Sequence, residues 1–178
     1  PRFYMTFITY CMRRSSDAEK QQLEHDAAKL FLRCYEQQTG IHMRHIWHNE
    51  PNRPDVSCYQ ENDQLDIEVA HLYASETEAM AVLGRPLSIQ MQCDLADMAQ
   101  QPSEHRLQSA LGRLLKQKAT KRYYSKRTWL LIRNASTIWH KSDFEAVIKT
   151  IAFPNTHQFE QIWLLCDFYR GELLRVDH

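Results

Sequence analysis

Pro54-Asp55-Val56-Ser57-Cys58-Tyr59-Gln60, the polar turn Glu61-Asn62-Asp63-Gln64, then Leu65-Asp66-Ile67-Glu68-Val69-Ala70-His71 decide how this chain is read. Two runs of alternating apolar and polar residues around a polar turn predict an antiparallel hairpin. Pairing Gln60 with Leu65, Cys58 with Ile67 and Val56 with Val69 puts Val56, Cys58, Leu65, Ile67 and Val69 on one apolar face. A slip of one residue would set these against polar side chains, so the pattern selects this register. The other face then carries Asp55, Ser57 and Tyr59 beside Asp66, Glu68 and Ala70, with Glu68 opposite Ser57 and diagonal to Asp55. Diagonal neighbours lie roughly 7–8 Å apart, within reach of converging side chains. Two carboxylates aimed at one point repel unless a cation lies between them. Mg²⁺ or Mn²⁺ suits such oxygen ligands and can activate water against a phosphodiester. The plainer alternative is a solvated polar strand face.

Around the hairpin, Ser15-Ser16-Asp17 supplies helix caps, and a helix is expected to run to about Gln38 and stop at Gly40. Its stripe is Leu23, Ala27, Leu30, Phe31 and Cys34. Phe3 to Tyr10 and Ile41 to Trp47 read as strands, and Ser75 to Leu83 as a short helix. Arg85 to Pro102 is the least legible stretch and reads as a lid or insertion. A helix capped by Ser103 should reach Tyr124, followed by a Thr128–Arg133 strand, a Ser142–Ile151 helix and strands at Gln161–Phe168 and Glu172–Val176. A hairpin followed by alternating helices and strands predicts an α/β fold: one domain over residues 1–178, with a central mixed sheet flanked by helices.

Charge is balanced overall but not along the chain. Asp55 to Glu104 holds ten acids and one base, Arg85; His105 to Arg127 holds eight bases and no acid. The functional reading is an acidic, cation-binding centre beside a basic, phosphate-binding helix; the bland one is two solvated faces. The five scattered cysteines form no CxxC pair and read as reduced, mostly buried thiols. No apolar run approaches the ~18 residues of a membrane span. The apolar opening has its basic pair, Arg13-Arg14, after it rather than before, unlike a secretory signal. A cytoplasmic protein without membrane contact is expected. Pro1 is an unusual first residue, so residues are expected to precede it.

Pro54-Asp55, a spacer and Asp66-Ile67-Glu68-Val69-Ala70 resemble the PD-(D/E)xK nuclease superfamily, the restriction-endonuclease-like proteins. The resemblance spans the preceding helix, the hairpin, the basic helix and the Trp129-Leu130-Leu131-Ile132 strand. It implies a restriction-endonuclease-like sheet and a magnesium-dependent hydrolase. Asp55 and Glu68 would hold the metal, Asp66 could contribute, and a helical Glu would assist. Glu24, which flanks the apolar stripe, is the better candidate for that role; Asp26 points away. The pattern departs at Ala70, where the family has Lys. Either the lysine has migrated or the domain no longer cuts.

A substitute is legible. Leu107, Leu111, Leu114 and Leu115 form a buried stripe, and helical spacing puts Lys118 on it while Lys116 points nearly opposite. A lysine there needs an anionic partner, or it snorkels to solvent. Lys121 is the next candidate. Arg113, Lys116, Lys121, Arg122, Lys126 and Arg127 are the candidate phosphate contacts, and Tyr123-Tyr124 either stack on bases or pack at the helix end. His42, His45 and His48 recur every three residues, but on a strand that spacing alternates faces and cannot chelate one zinc ion. The chain therefore reads as a metal-dependent nuclease acting on DNA or RNA. The competing readings are an inactive nuclease fold that binds nucleic acid or scaffolds protein partners or a homo-oligomer, and a purely structural interaction module.

Overall fold

The computed structural model describes residues 2–75, 84–100, 102–167 and 169–177. Its elements in order are α1 (Arg2–Thr39), β1 (Met43–His48), β2 (Val56–Gln60), β3 (Asp63–Leu72), α2 (Ile89–Gln100), α3 (Ser103–Ala119), β4 (Thr128–Asn134), α4 (Lys141–Ile148), β5 (Phe159–Asp167) and β6 (Glu172–Arg175). The six strands form one open sheet in sequence order. β1, β2 and β3 pair antiparallel, β3, β4 and β5 parallel, and β6 antiparallel to β5. This is an α/β architecture with a mixed sheet, as expected.

Strand parity builds the two cores. Val56, Cys58, Leu65, Ile67, Val69, Trp129 and Leu131 turn one face of the sheet towards Ala27, Ala28, Phe31 and Tyr35 of α1. Ala70, Leu72, Leu130, Ile132 and Leu164 turn the other towards Leu107, Leu111 and Leu115 of α3 and Phe144 and Val147 of α4. A parallel strand covered on both faces has to be apolar at successive residues, which explains Trp129-Leu130-Leu131-Ile132.

Several boundaries differ from the sequence reading. Residues 3–10 are helical, not a strand, because α1 runs without a break from Arg2 and passes through Ser15-Ser16-Asp17. Once a helix exists, each added residue gains a hydrogen bond, so extension overrides weak strand preference. Gly40, at φ 72° with its N–H on Glu36 O, does end the helix. Helix α3 begins after Pro102 and stops at Ala119, short of Tyr124. There Arg122 donates to the carbonyls of Ala119 and Lys121, and Tyr123 N–H donates to Gln158, which turns the chain towards β4. The illegible Arg85–Pro102 stretch contains α2, with Ile89 strongly exposed. The short helix expected at 75–83 lies almost wholly outside the described residues.

The hairpin register is shifted by two residues. Gln60 pairs with Asp63, Cys58 with Leu65, Ser57 with Asp66 and Val56 with Ile67. The turn is only Glu61-Asn62, and Glu61 takes φ 53°, the left-handed value that tight hairpin turns require. Glu has no preference for that conformation, so the sequence did not announce it. It is held because Glu61 N–H donates to His42 O while its carboxylate accepts the His42 N–H. A shift of two preserves which side chains share a face but changes who sits opposite whom.

Candidate active site

Extending the observed register by one pair brings Asp55 directly opposite Glu68, closer than the diagonal relation expected. Val69 N–H donates to Asp55 Oδ2 at 2.9 Å, which fixes the carboxylate beside β3. The approach to β2 is clamped by Asn49: its side-chain amide donates to Pro54 O and Ser57 Oγ, and its N–H donates to Asp55 O. Among the described residues, the pairing of β2 with β3 runs only to Ile67, and beyond it the Val69 N–H is taken by Asp55. A cleft of about 620 Å³ opens there, with Asp55 and Glu68 in its wall and Lys20, Arg53, Lys118, Lys121 and Arg122 around them.

Lys118 reaches Glu68 across the cleft wall. Its Nζ lies 2.6 Å from Glu68 Oε1, and both side chains are largely buried. Lys118 thus comes from the end of the apolar stripe of α3 onto the acidic side chain two residues before Ala70. Lys116 is exposed, as its helical position implied.

Glu24 is 3% exposed on the sheet-facing side of α1, with Lys20 Nζ at 3.4 Å. Burial raises its carboxyl above the usual range. Asp55 is pushed up to about 7, first by burial and then by the charges of Glu68 and Glu24, partly offset by the Val69 N–H and Lys118. Burial would lower Lys20, but Glu24, Asp55 and Glu68 raise it. Three acids and two lysines therefore share one electrostatic neighbourhood, which is where perturbed titration marks functional sites.

Asp66 does not join them. It accepts hydrogen bonds from Ser57 Oγ and Gln64 Nε2, has Arg53 at 3.8 Å, and lines the neighbouring cavity. The shifted register puts Ser57 opposite it, so Asp66 lies in the neighbouring cavity rather than in the cleft of Asp55 and Glu68. Among the candidate phosphate contacts, Lys121 and Arg122 reach the cleft, Arg113 and Lys126 line the cavities on either side of it, and Lys116 faces away. Arg127 is bound to Glu160 and Gln60 and acts as a structural tie.

The sequence reading missed Lys20, Asn49, Arg53 and His71. Lys20 carried a signal, its i to i+4 spacing from Glu24; the others did not. His71 is held well below the ordinary range, to about 4, by burial and by Arg133, Lys20 and Lys118. Tyr123 is raised by burial and by Glu68, and its ring packs on Phe159, while Tyr124 is exposed. His42 pairs with Glu36, His45 meets the edge of Tyr59 and His48 stacks on His25. Cys34, Cys58 and Cys166 are buried free thiols and Cys93 an exposed one.

No family model, curated protein or solved structure matches the chain. Among the described residues, no group of three or more His, Cys, Asp or Glu is arranged to hold a metal ion, and no helix is long and apolar enough to cross a membrane.

Proposed function

We propose that this is a metal-dependent phosphodiesterase domain with a restriction-endonuclease-like site, acting on DNA or RNA. The observation that carries the reading is the Lys118–Glu68 contact beside Asp55 in a cation-rimmed cleft. Asp55 and Glu68 are the metal-facing carboxylates. Two are enough, because Mg²⁺ usually keeps several waters and takes its remaining ligands from substrate phosphate. Burial raises Asp55 first and the charges of Glu68 and Glu24 add to it; a divalent cation would offset that added repulsion. Such a metal, Mg²⁺ or Mn²⁺, would lower the pKa of a bound water and neutralise charge at the phosphate.

The chain's own groups do the rest. Lys118 neutralises Glu68 in the resting site and lies where it can hydrogen-bond a phosphate oxygen or the attacking water. Glu24 adds negative charge behind Asp55. Lys121 and Arg122 hold the flanking phosphates. Hydrolysis adds water across one P–O bond, leaving a phosphate monoester on one fragment and a hydroxyl on the other.

One observation favours a second reading, a non-cutting fold kept for binding or scaffolding. Glu68 is already ion-paired with Lys118. A nuclease assay with Mg²⁺ and Mn²⁺ on single- and double-stranded DNA and RNA separates the two. Cleavage lost in both Glu68→Gln and Lys118→Met supports the enzyme; no cleavage by the intact chain on any substrate sinks it.

A further inference from the structure

The acidic pair does not sit at a blind end. On one side, Arg53 and Tyr123 are walls of both the Asp55–Glu68 cleft and a cavity of about 860 Å³ that runs along Tyr124 and Lys126. On the other, His71 and Tyr73 are shared with a cavity of about 210 Å³ that continues to Arg113. Three sections thus adjoin in a row with the carboxylates in the middle one. Each section is lined by at least one cation: Lys126, then Lys121 and Arg122, then Arg113.

Two groups flank the acidic pair along this row. The Tyr124 ring is 81% exposed beside Lys126, while its neighbour Tyr123 is packed against Phe159. At the opposite joint, both ring nitrogens of His71 are buried with no hydrogen-bond partner. Buried polar side-chain atoms nearly always have one, so an orphan in a cleft wall points to a bond made with a ligand.

We infer that this trench takes an internal stretch of single-stranded nucleic acid, passing through the cleft rather than ending in it. Tyr124 stacks on a base on one side of the reacting phosphate, and His71 hydrogen-bonds the strand on the other. A single strand is specified because an aromatic face in a groove is open to an unpaired base, whereas duplex bases already stack on each other. The position of any cut follows from the proposed hydrolysis and rests on it: the chain opens internally. The binding claim does not depend on cleavage.

The test uses the intact chain in two arms. Fluorescence anisotropy without divalent metal compares labelled oligo-dT and oligo-rU of two to sixteen nucleotides with a duplex. Affinity should rise with length past four nucleotides and exceed that for the duplex at equal length. Tyr124→Ala should weaken the single-strand complex roughly 5- to 150-fold, the worth of one base–aromatic stack, and His71→Phe should weaken it as well. Tyr169→Ala, removing a still more exposed ring outside the trench, should leave the affinity unchanged. Preference for duplex, or equal affinity in wild type and Tyr124→Ala, overturns the inference. The second arm offers closed circular and linear single-stranded DNA with Mg²⁺ or Mn²⁺. Opened circles support the through-passing strand. Trimming of linear ends with circles left intact overturns it while leaving the hydrolase reading standing. Tyr124-dependent binding with no cleavage of either substrate, nor of single-stranded RNA, supports the trench and removes the hydrolase.

Discussion

Lys118 Nζ and Glu68 Oε1 meet at 2.6 Å although fifty residues separate them in sequence. Neither partner would be stable there alone, since a buried charge without a counter-charge is costly. The pair ties the end of α3 to β3 in the wall of the cleft.

Lys118→Met should therefore destabilise the protein by about 3 kcal/mol, because it leaves Glu68 buried and unpaired. Urea unfolding measures this. Added Mg²⁺ or Mn²⁺ should stabilise the variant more than the wild type, since the cation replaces the lost ammonium. Equal stability of variant and wild type without metal would show that the ion pair does not organise the site.

Asp55 gives a pH signature. Its folded pKa of about 7 exceeds the ordinary carboxylate value, so between roughly pH 4 and 7 the folded state holds more protons than the unfolded one. Stability contributed by this group is greatest at low pH and falls as pH rises through that window. His71, depressed to about 4, pulls the opposite way over a similar range, so the variant is compared with wild type at each pH. Asp55→Asn, which can still accept the Val69 N–H, should raise Tm at pH 8 and lose that advantage by pH 4.

Metal should bind through Asp55 and Glu68, and protons compete for the same carboxylate. Calorimetry should show Mn²⁺ affinity falling below pH 7, and binding abolished in Glu68→Ala without unfolding. Unchanged affinity in that variant would remove the metal site.

Lys121 and Arg127 should behave as opposites although both are basic. Lys121→Ala should lower nucleic-acid affinity across all sequences and reduce the salt dependence by about one contact, a log–log slope of roughly 0.7 for single strands. Arg127→Ala should leave that slope unchanged and cost about 1 kcal/mol of stability, because its guanidinium is bound to Glu160 and Gln60. A salt titration and a thermal melt on the two variants decide it.

What the sequence determined by itself was parity. Alternation fixed that Val56, Cys58, Leu65, Ile67 and Val69 share a face, that Asp55 and Glu68 share the other, and that Lys118 continues the buried stripe of its helix. These follow from periods of 2 and 3.6 residues, which are properties of the local chain. Register was different. The two-residue turn depends on Glu61 being held left-handed by His42, a contact between segments nineteen residues apart, and it decides that Asp55 faces Glu68 while Ser57 takes Asp66. The loss of Arg127 to Glu160, the unpartnered nitrogens of His71 and the row of adjoining cavities likewise arise where separate elements meet. Spacing along one strand or helix carries no information about such meetings, because each depends on how the packed cores seat α1 and α3 against the two faces of the sheet.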